Sequence, residues 1–225
     1  LEQNAGIDRD RIQVIYNGVR VSQDPLRPTE VERLALREEL GLSPEGPVAA
    51  IVAALRPEKN HELLLLAWST LPEELAAVLL IIGEGPREED LRAKAESLGI
   101  SDRLRWLGVR NDVDRLLPAA DMLALSSHPV VETFPLCVLE AMAAGLPVVS
   151  TRVGSLDEMV EDGTTGRLVP PGDAESLAHR LAELLGDREL AAEMGRAGRL
   201  RALRNFDRRF MVEGTARLLR KLADR

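Results

Sequence analysis

Two carboxylates with seven residues between them, Glu132 and Glu140, carry the strongest chemical signal in this chain. Glu140 is the single charge in the apolar run from Leu136 to Ala144. Taking an ionised carboxylate out of water costs several kcal/mol unless partners replace the solvent. The simplest such partner is a nearby arginine of the core. Glu132, just ahead of that run, reads most simply as a capping residue in a loop. Arg56 and Lys59 are cations suited to an anionic ligand. Such a pair can offset the charge of a group such as phosphate. Standing alone, the two read as surface charges in a loop. Gly83-Glu84-Gly85-Pro86 suggests a phosphate-cradling turn, but Glu88 occupies the place of the third glycine of a dinucleotide fingerprint. Asp112 and Asp114 frame a possible metal triplet, yet they open a short helix, where acids cap free N–H groups and complement the dipole. We read them as capping. His61, His128 and His179 lie apart in sequence and form no cluster with ligand spacing. The expectation is therefore a site without metal.

These residues need elements to position them. Residues 48–55 form a continuous apolar run, as in a strand covered on both faces. Residues 79–82, 104–107, 122–125, 148–150 and 166–169 read as further strands. Helical spacing separates them at 62–71, 87–98, 113–117 and 136–144. Thr133 is a candidate N-cap for the last of these, Pro135 stands in its first turn, and Gly145 with Pro147 stops it. Residues 11–16 read as a short strand or extended linker, and a helix at 28–40 stops at Gly41. After Asp173, a candidate N-cap, helices at 174–185, 187–203 and 207–223 close the chain. Their many arginines read as a solvated surface. Strand and helix alternate, which predicts an α/β, Rossmann-like domain in three layers with a parallel sheet of about six strands. In such sheets ligands bind beyond the carboxyl ends of the strands. Arg56, Lys59, Gly83, Gly85, Arg110 and the loop up to Pro135 all fall at those ends. The N–H groups of Leu136 and Cys137, in the first helical turn, can bind phosphate oxygens, because a helix N-terminus carries about half a positive charge.

The 225 residues suffice for one large α/β domain. A net charge of -8 gives no electrostatic case for binding nucleic acid. The single cysteine, Cys137, excludes an internal disulfide and fits a reducing compartment. No secretory leader is visible, and no apolar run approaches the roughly 18 residues of a membrane span. The chain opens at Leu1 in a polar run, which reads as a fragment bounded at a domain edge.

Glu132-Thr133-Phe134-Pro135-Leu136, with Leu139-Glu140-Ala141-Met142-Ala143-Ala144-Gly145-Leu146-Pro147-Val148-Val149 after it, resembles the Glu-x7-Glu signature of family 4 (group 1) retaining glycosyltransferases. The resemblance covers nearly the whole chain, but only the C-terminal, donor-binding half of such a two-domain, GT-B type enzyme. It implies transfer of a sugar from a nucleoside-diphosphate sugar to an acceptor hydroxyl with retention, with no cofactor and no required metal. It implies that Arg56 and Lys59 hold the diphosphate, that Glu132 faces the transferred sugar, and that Glu140 accepts from the ribose hydroxyls. Gly83, Gly85, Arg110, Thr133, Phe134, Pro135, Leu136 and Cys137 would line the donor. The implied division is a linker or first strand at 1–20, the donor domain at 21–205 and a C-terminal helix at 206–225. The acceptor, whether a sugar, a lipid-linked sugar or a small molecule, would lie mainly on an N-terminal domain, so the chain alone would be inactive. The implied setting is cytoplasmic, with peripheral contact at the inner face of the membrane. Three positions depart from the family pattern. Arg20 replaces the aspartate of Asn-Gly-Val-Asp, Thr133 replaces a glycine, and Ser155 replaces the second residue of a Gly-Gly pair, whereas Glu158 matches. The alternatives are a nucleotide-sugar-binding module that acts with a partner chain, and a phosphorylase or epimerase on the same fold.

Overall fold

Each predicted apolar run becomes a strand: β1 Val48–Val52, β2 Val78–Ile82, β3 Leu104–Gly108, β4 Met122–Leu125, β5 Val148–Thr151 and β6 Gly166–Val169. The structure is a computed structural model that describes residues 12–21, 29–129 and 132–224. All six strands pair in parallel, in the order β3-β2-β1-β4-β5-β6. Successive side chains point to opposite faces. Ala49, Ile51, Leu79, Ile81 and Ala124 thus enter one core, and Val48, Ala50, Leu80, Ile82 and Leu125 the other. Both faces are covered, which is why the strands are apolar throughout instead of alternating.

Among the described residues the helices are α1 Glu30–Glu39, α2 His61–Ser69, α3 Glu88–Ser97, α4 Val113–Leu116, α5 Leu136–Ala144, α6 Leu156–Met159, α7 Ala174–Gly186, α8 Arg188–Asn205 and α9 Arg208–Ala223. Leucines of α2, α3 and α7 fill the first core. Leu36 of α1, Leu116 of α4, Val138 and Leu139 of α5, and Leu156 of α6 fill the second. Helix α8 serves both, through Met194 at its middle and Ala202 near its end. Gly145 closes α5 with φ of 78°, a left-handed conformation that glycine adopts without strain. Opposite the carboxyl ends of the strands, Asp121 accepts from Arg33, from the fully buried Arg37 and from the backbone N–H of Val48.

The differences from the expected elements have local causes. Strand β1 stops at Val52, because residues 53–55 turn to follow the loop after β2: the N–H of Leu55 donates to the carbonyl of Glu84 at 2.9 Å. Residues 12–16 do not form a strand; nearby, a bridge pairs Val19 with Asp207. Residue 11, residues 1–10 of the linker and the start of the 28–40 helix lie outside the described residues. Helix α6 was not predicted, because four residues carry too little periodicity to read. The arginines of α8 are more than a solvated face. Arg199 donates to the carbonyl of Ala143 at 2.6 Å, and Arg201 donates to the carbonyls of Met159 and Glu158, both at 2.8 Å. These bonds tie α8 to the ends of α5 and α6.

Candidate active site

The strand order reverses between β1 and β4, and at such a switch point the two following loops diverge and leave a crevice. One loop carries Arg56 and Lys59, the other Ser126 to Pro135. They are joined at their base: Ser126 Oγ donates to the carbonyl of Asn60 and the N–H of His128 to the carbonyl of Glu58, both at 2.9 Å. Gly83 and Gly85 set the first loop from the side. A Cβ at Gly83 would lie 2.1 Å from the carbonyl oxygen of Ala53, and one at Gly85 would lie 2.5 Å from that of Leu55. Their glycine identity is therefore explained by backbone packing under Arg56.

The two cations differ. Arg56 is exposed, and its side chain has no hydrogen bond or ion pair among the described residues. Lys59 Nζ lies 2.5 Å from Glu132 Oε1. The same oxygen accepts from Ser127 Oγ at 2.6 Å, and the carbonyl of Ser127 in turn accepts from Thr151 Oγ1 at 2.9 Å. Glu132 is only 7% exposed, and these bonds compensate its burial. Its second oxygen, Oε2, has no partner among the described residues. The carboxylate is thus gripped by one oxygen and open at the other. Ser127 and Thr151 were missed in the sequence; the polar residues that end two buried strands were the available signal.

Helix α5 begins at Leu136 with Pro135 as its N-cap, and no side chain caps it. Thr133, the expected cap, does not reach the helix; its carbonyl instead accepts from the hydroxyl of Ser155. The N–H groups of Leu136 and Cys137 are left without a side-chain cap. Cys137 is free, and burial together with the nearby Glu132 pushes its thiol up to about 12, so it stays protonated. The ring of Phe134 packs on those of Tyr16 and Phe206. Glu140, one turn into α5, is half-buried, and its carboxylate has no hydrogen bond or ion pair among the described residues. It lines an open cavity of about 360 Å³ with Arg20, Asp114, Pro118 and Ala143. Burial first, and Asp114 second, raise its pKa above the ordinary carboxylate value. It is therefore not the paired core acid of the simpler reading.

Arg110 follows β3 but is engaged: its guanidinium makes two bonds to Asp112, at 2.8 and 2.7 Å. Asp112 consequently makes no side-chain cap to α4, which corrects the capping role expected for it. Asp114 accepts from the N–H of Arg115 at 2.9 Å. Among the described residues no three His, Cys, Asp or Glu side chains converge as metal ligands. The structure therefore brings Arg56, Lys59 and Glu132 to one crevice, with the first turn of α5 at its wall, while Glu140 opens into a cavity along α5.

A family model described as glycosyl transferases group 1 matches residues 32–201. The N-acetyl-alpha-D-glucosaminyl L-malate synthase of Bacillus anthracis is 32% identical over 188 residues, covering 84% of this chain and 48% of that protein. The D-inositol 3-phosphate glycosyltransferase of Nocardia farcinica is 37% identical over 201 residues, covering 84% of this chain and 43% of that protein. Anabaena HepE, solved in complex with UDP and glucose, matches with a TM-score of 0.88 at 26% identity, covering 97% of this chain and 59% of that one. The chain spans about half the length of the curated relatives it matches.

Proposed function

The chain belongs to the glycosyl transferases group 1 family, and from that premise we propose that it is the donor-binding half of a retaining glycosyltransferase that uses a nucleoside-diphosphate sugar. The observation that carries this reading is the pair of glutamates, each with acceptor capacity the described residues leave unused: Glu132 at Oε2, and Glu140 at both carboxylate oxygens. A sugar and a ribose are the hydroxyl-rich groups that such acceptors fit. Arg56, whose side chain has no partner among the described residues, and the uncapped N–H groups of α5 suit the diphosphate between them. Lys59 carries three donors. It can keep Glu132 with one and turn another to a phosphate oxygen, so that charge on the leaving diphosphate is offset as it develops. With cations in that role no metal is required. Arg110 can serve the nucleobase through its backbone, its side chain being held by Asp112.

The acceptor would be supplied from outside these residues, and transfer would need both parts. No helix of the described residues is long and apolar enough to cross a membrane. HepE was solved with UDP and glucose, which makes UDP the first ligand to test. Thermal scans with UDP, GDP and ADP and their sugars test the reading. The matching nucleotide at about 100 times its dissociation constant adds roughly 2.7 kcal/mol, and NAD adds nothing. Scans that show no shift at millimolar concentration of any of them would sink the proposal.

A further inference from the structure

The loop that carries Glu132 is gripped from two sides, and one residue touches both. On one side is the turn between β5 and α6. Gly154 passes so close that a Cβ there would lie 1.8 Å from the carbonyl oxygen of Glu132, and the hydroxyl of Ser155 donates to the carbonyl of Thr133. On the other side is a trio of rings. Phe134, two residues after Glu132, stacks on Tyr16 at 5.3 Å between centroids with 23° between planes. Both rings meet Phe206 edge-on, at 5.7 and 5.8 Å. Offset and edge-to-face arrangements of this kind are the favoured aromatic contacts. Phe206 is itself buried and hydrogen-bonded through its carbonyl to the N–H of Val19.

Tyr16 joins the two sides. Its ring carries Phe134, and its hydroxyl donates to Glu158 Oε2 of α6 at 2.6 Å. Helix α6 is anchored in turn by Arg201, through the carbonyls of Glu158 and Met159. Tyr16 is 41% exposed, so its removal opens no internal cavity and leaves both cores intact. Its effect is therefore confined to the two segments it braces. We propose that Tyr16 is a positioning residue for Glu132, holding the 132–135 loop so that the open oxygen of that carboxylate keeps its place toward the donor sugar. The proposal rests on the reading of Glu132 as a sugar acceptor. Misplacing such a group by about 1 Å is enough to weaken its interaction severely.

Amide hydrogen exchange on the 225-residue chain tests the brace without any ligand, comparing the parent with Tyr16→Leu and Tyr16→Phe. In Tyr16→Leu the amides of Thr133, Phe134 and Leu136 exchange roughly tenfold faster, and those of β1, β2 and β4 keep their rates. Tyr16→Phe retains the ring stack, so it restores slow exchange at 133–136 while loosening 156–159. Unchanged exchange at 133–136 in Tyr16→Leu overturns the proposal. So does an equal rise throughout the sheet, which is what general destabilisation would produce. Titrations with UDP and UDP-glucose then read the consequence for the site. Tyr16→Leu keeps its affinity for UDP and loses roughly three- to tenfold of the additional affinity due to glucose. Equal losses for both ligands count against a role through Glu132. If the parent chain binds neither ligand, the donor-binding reading fails and the role toward the sugar falls with it. The exchange rates separately decide whether Tyr16 braces the loop.

Discussion

Arg56 and Lys59 looked interchangeable as a pair of cations in the sequence, and the structure separates them. The Arg56 side chain has no partner among the described residues, so Arg56→Ala is expected to leave stability within about 0.5 kcal/mol of the parent and to weaken nucleoside diphosphate selectively over nucleoside. Lys59 neutralises a carboxylate that is nearly buried, so Lys59→Ala is expected to destabilise the empty protein, by about 1–3 kcal/mol after allowing for the partial exposure of the lysine. Equal urea midpoints for the two variants would contradict this division. Glu140 offers a test through pH. Its pKa is raised above the ordinary 4.5 by burial and Asp114, so the folded protein prefers its neutral form. That preference stabilises fully below pH 4.5 and is lost as pH rises through the shifted value. Glu140→Gln, which mimics the neutral acid, is therefore expected to melt above the parent at pH 7 to 8, with the gap closing below pH 4.5. The same variant should lose about 1.5–3 kcal/mol of affinity for UDP, the worth of hydrogen bonds to a charged acceptor. A melting gap independent of pH would mean that the charge of Glu140 is not what destabilises the empty site. Residue types and spacing drew attention to these four side chains, and the family resemblance was needed to give them roles. They did not indicate that Lys59 and Glu132 are partners, because 73 residues separate the two in sequence and only the fold brings them together.

At the scale of elements, the strands and long helices were legible, because apolar runs and helical spacing are local properties. The beginnings of helices were not. Thr133 has the composition of a cap, but its carbonyl is held by Ser155 and α5 starts beyond Pro135. Asp112 has it too, but Arg110 takes its carboxylate. In both cases a competing side chain decided, and composition does not identify competitors. Gly154 shows what the packing of two loops demands. Its φ is 58° and a Cβ would meet the Glu132 carbonyl, so Gly154→Ala is expected to cost about 2 kcal/mol or more, whereas Gly172→Ala, at φ 83° with open space around it, costs about 1 kcal/mol. Chemical denaturation of the two variants compares them directly, and equal losses would show that the loops are not tightly fitted. Helix α2 supplies a pH signature. His61 opens it with both ring nitrogens buried and without partners among the described residues, and burial lowers its pKa from 6.5 to about 4. Its neutral form contributes stability above pH 6.5 that is lost as pH falls through about 4. His61→Leu is expected to flatten the acid limb of the stability profile between those values, by up to about 3 kcal/mol. Parallel acid limbs for variant and parent would contradict a neutral buried histidine.

For the whole molecule, alternation of strand and helix conveyed the class of fold but not the order of its strands. The reversal between β1 and β4, which creates the crevice, follows from which strands pair, and pairing is not written in any single segment. Nor could the sequence show that residues 12–20, part of the expected linker or first strand at 1–20, place Tyr16 and Arg20 beside the loop after β4 and beside Glu140. The chain joins two halves of one sheet, and the loops from either side of the reversal supply opposite charges to the same point. The central claim is that this crevice binds a nucleoside diphosphate through groups that have distinct roles. Its most direct test is one set of calorimetric titrations of UDP and uridine into the parent chain, Arg56→Ala and Glu140→Ala. The account predicts that Arg56→Ala weakens UDP and leaves uridine unchanged, whereas Glu140→Ala weakens both by a similar factor. Absence of UDP binding by the parent at millimolar concentration, or equal losses for both ligands in Arg56→Ala, would contradict it.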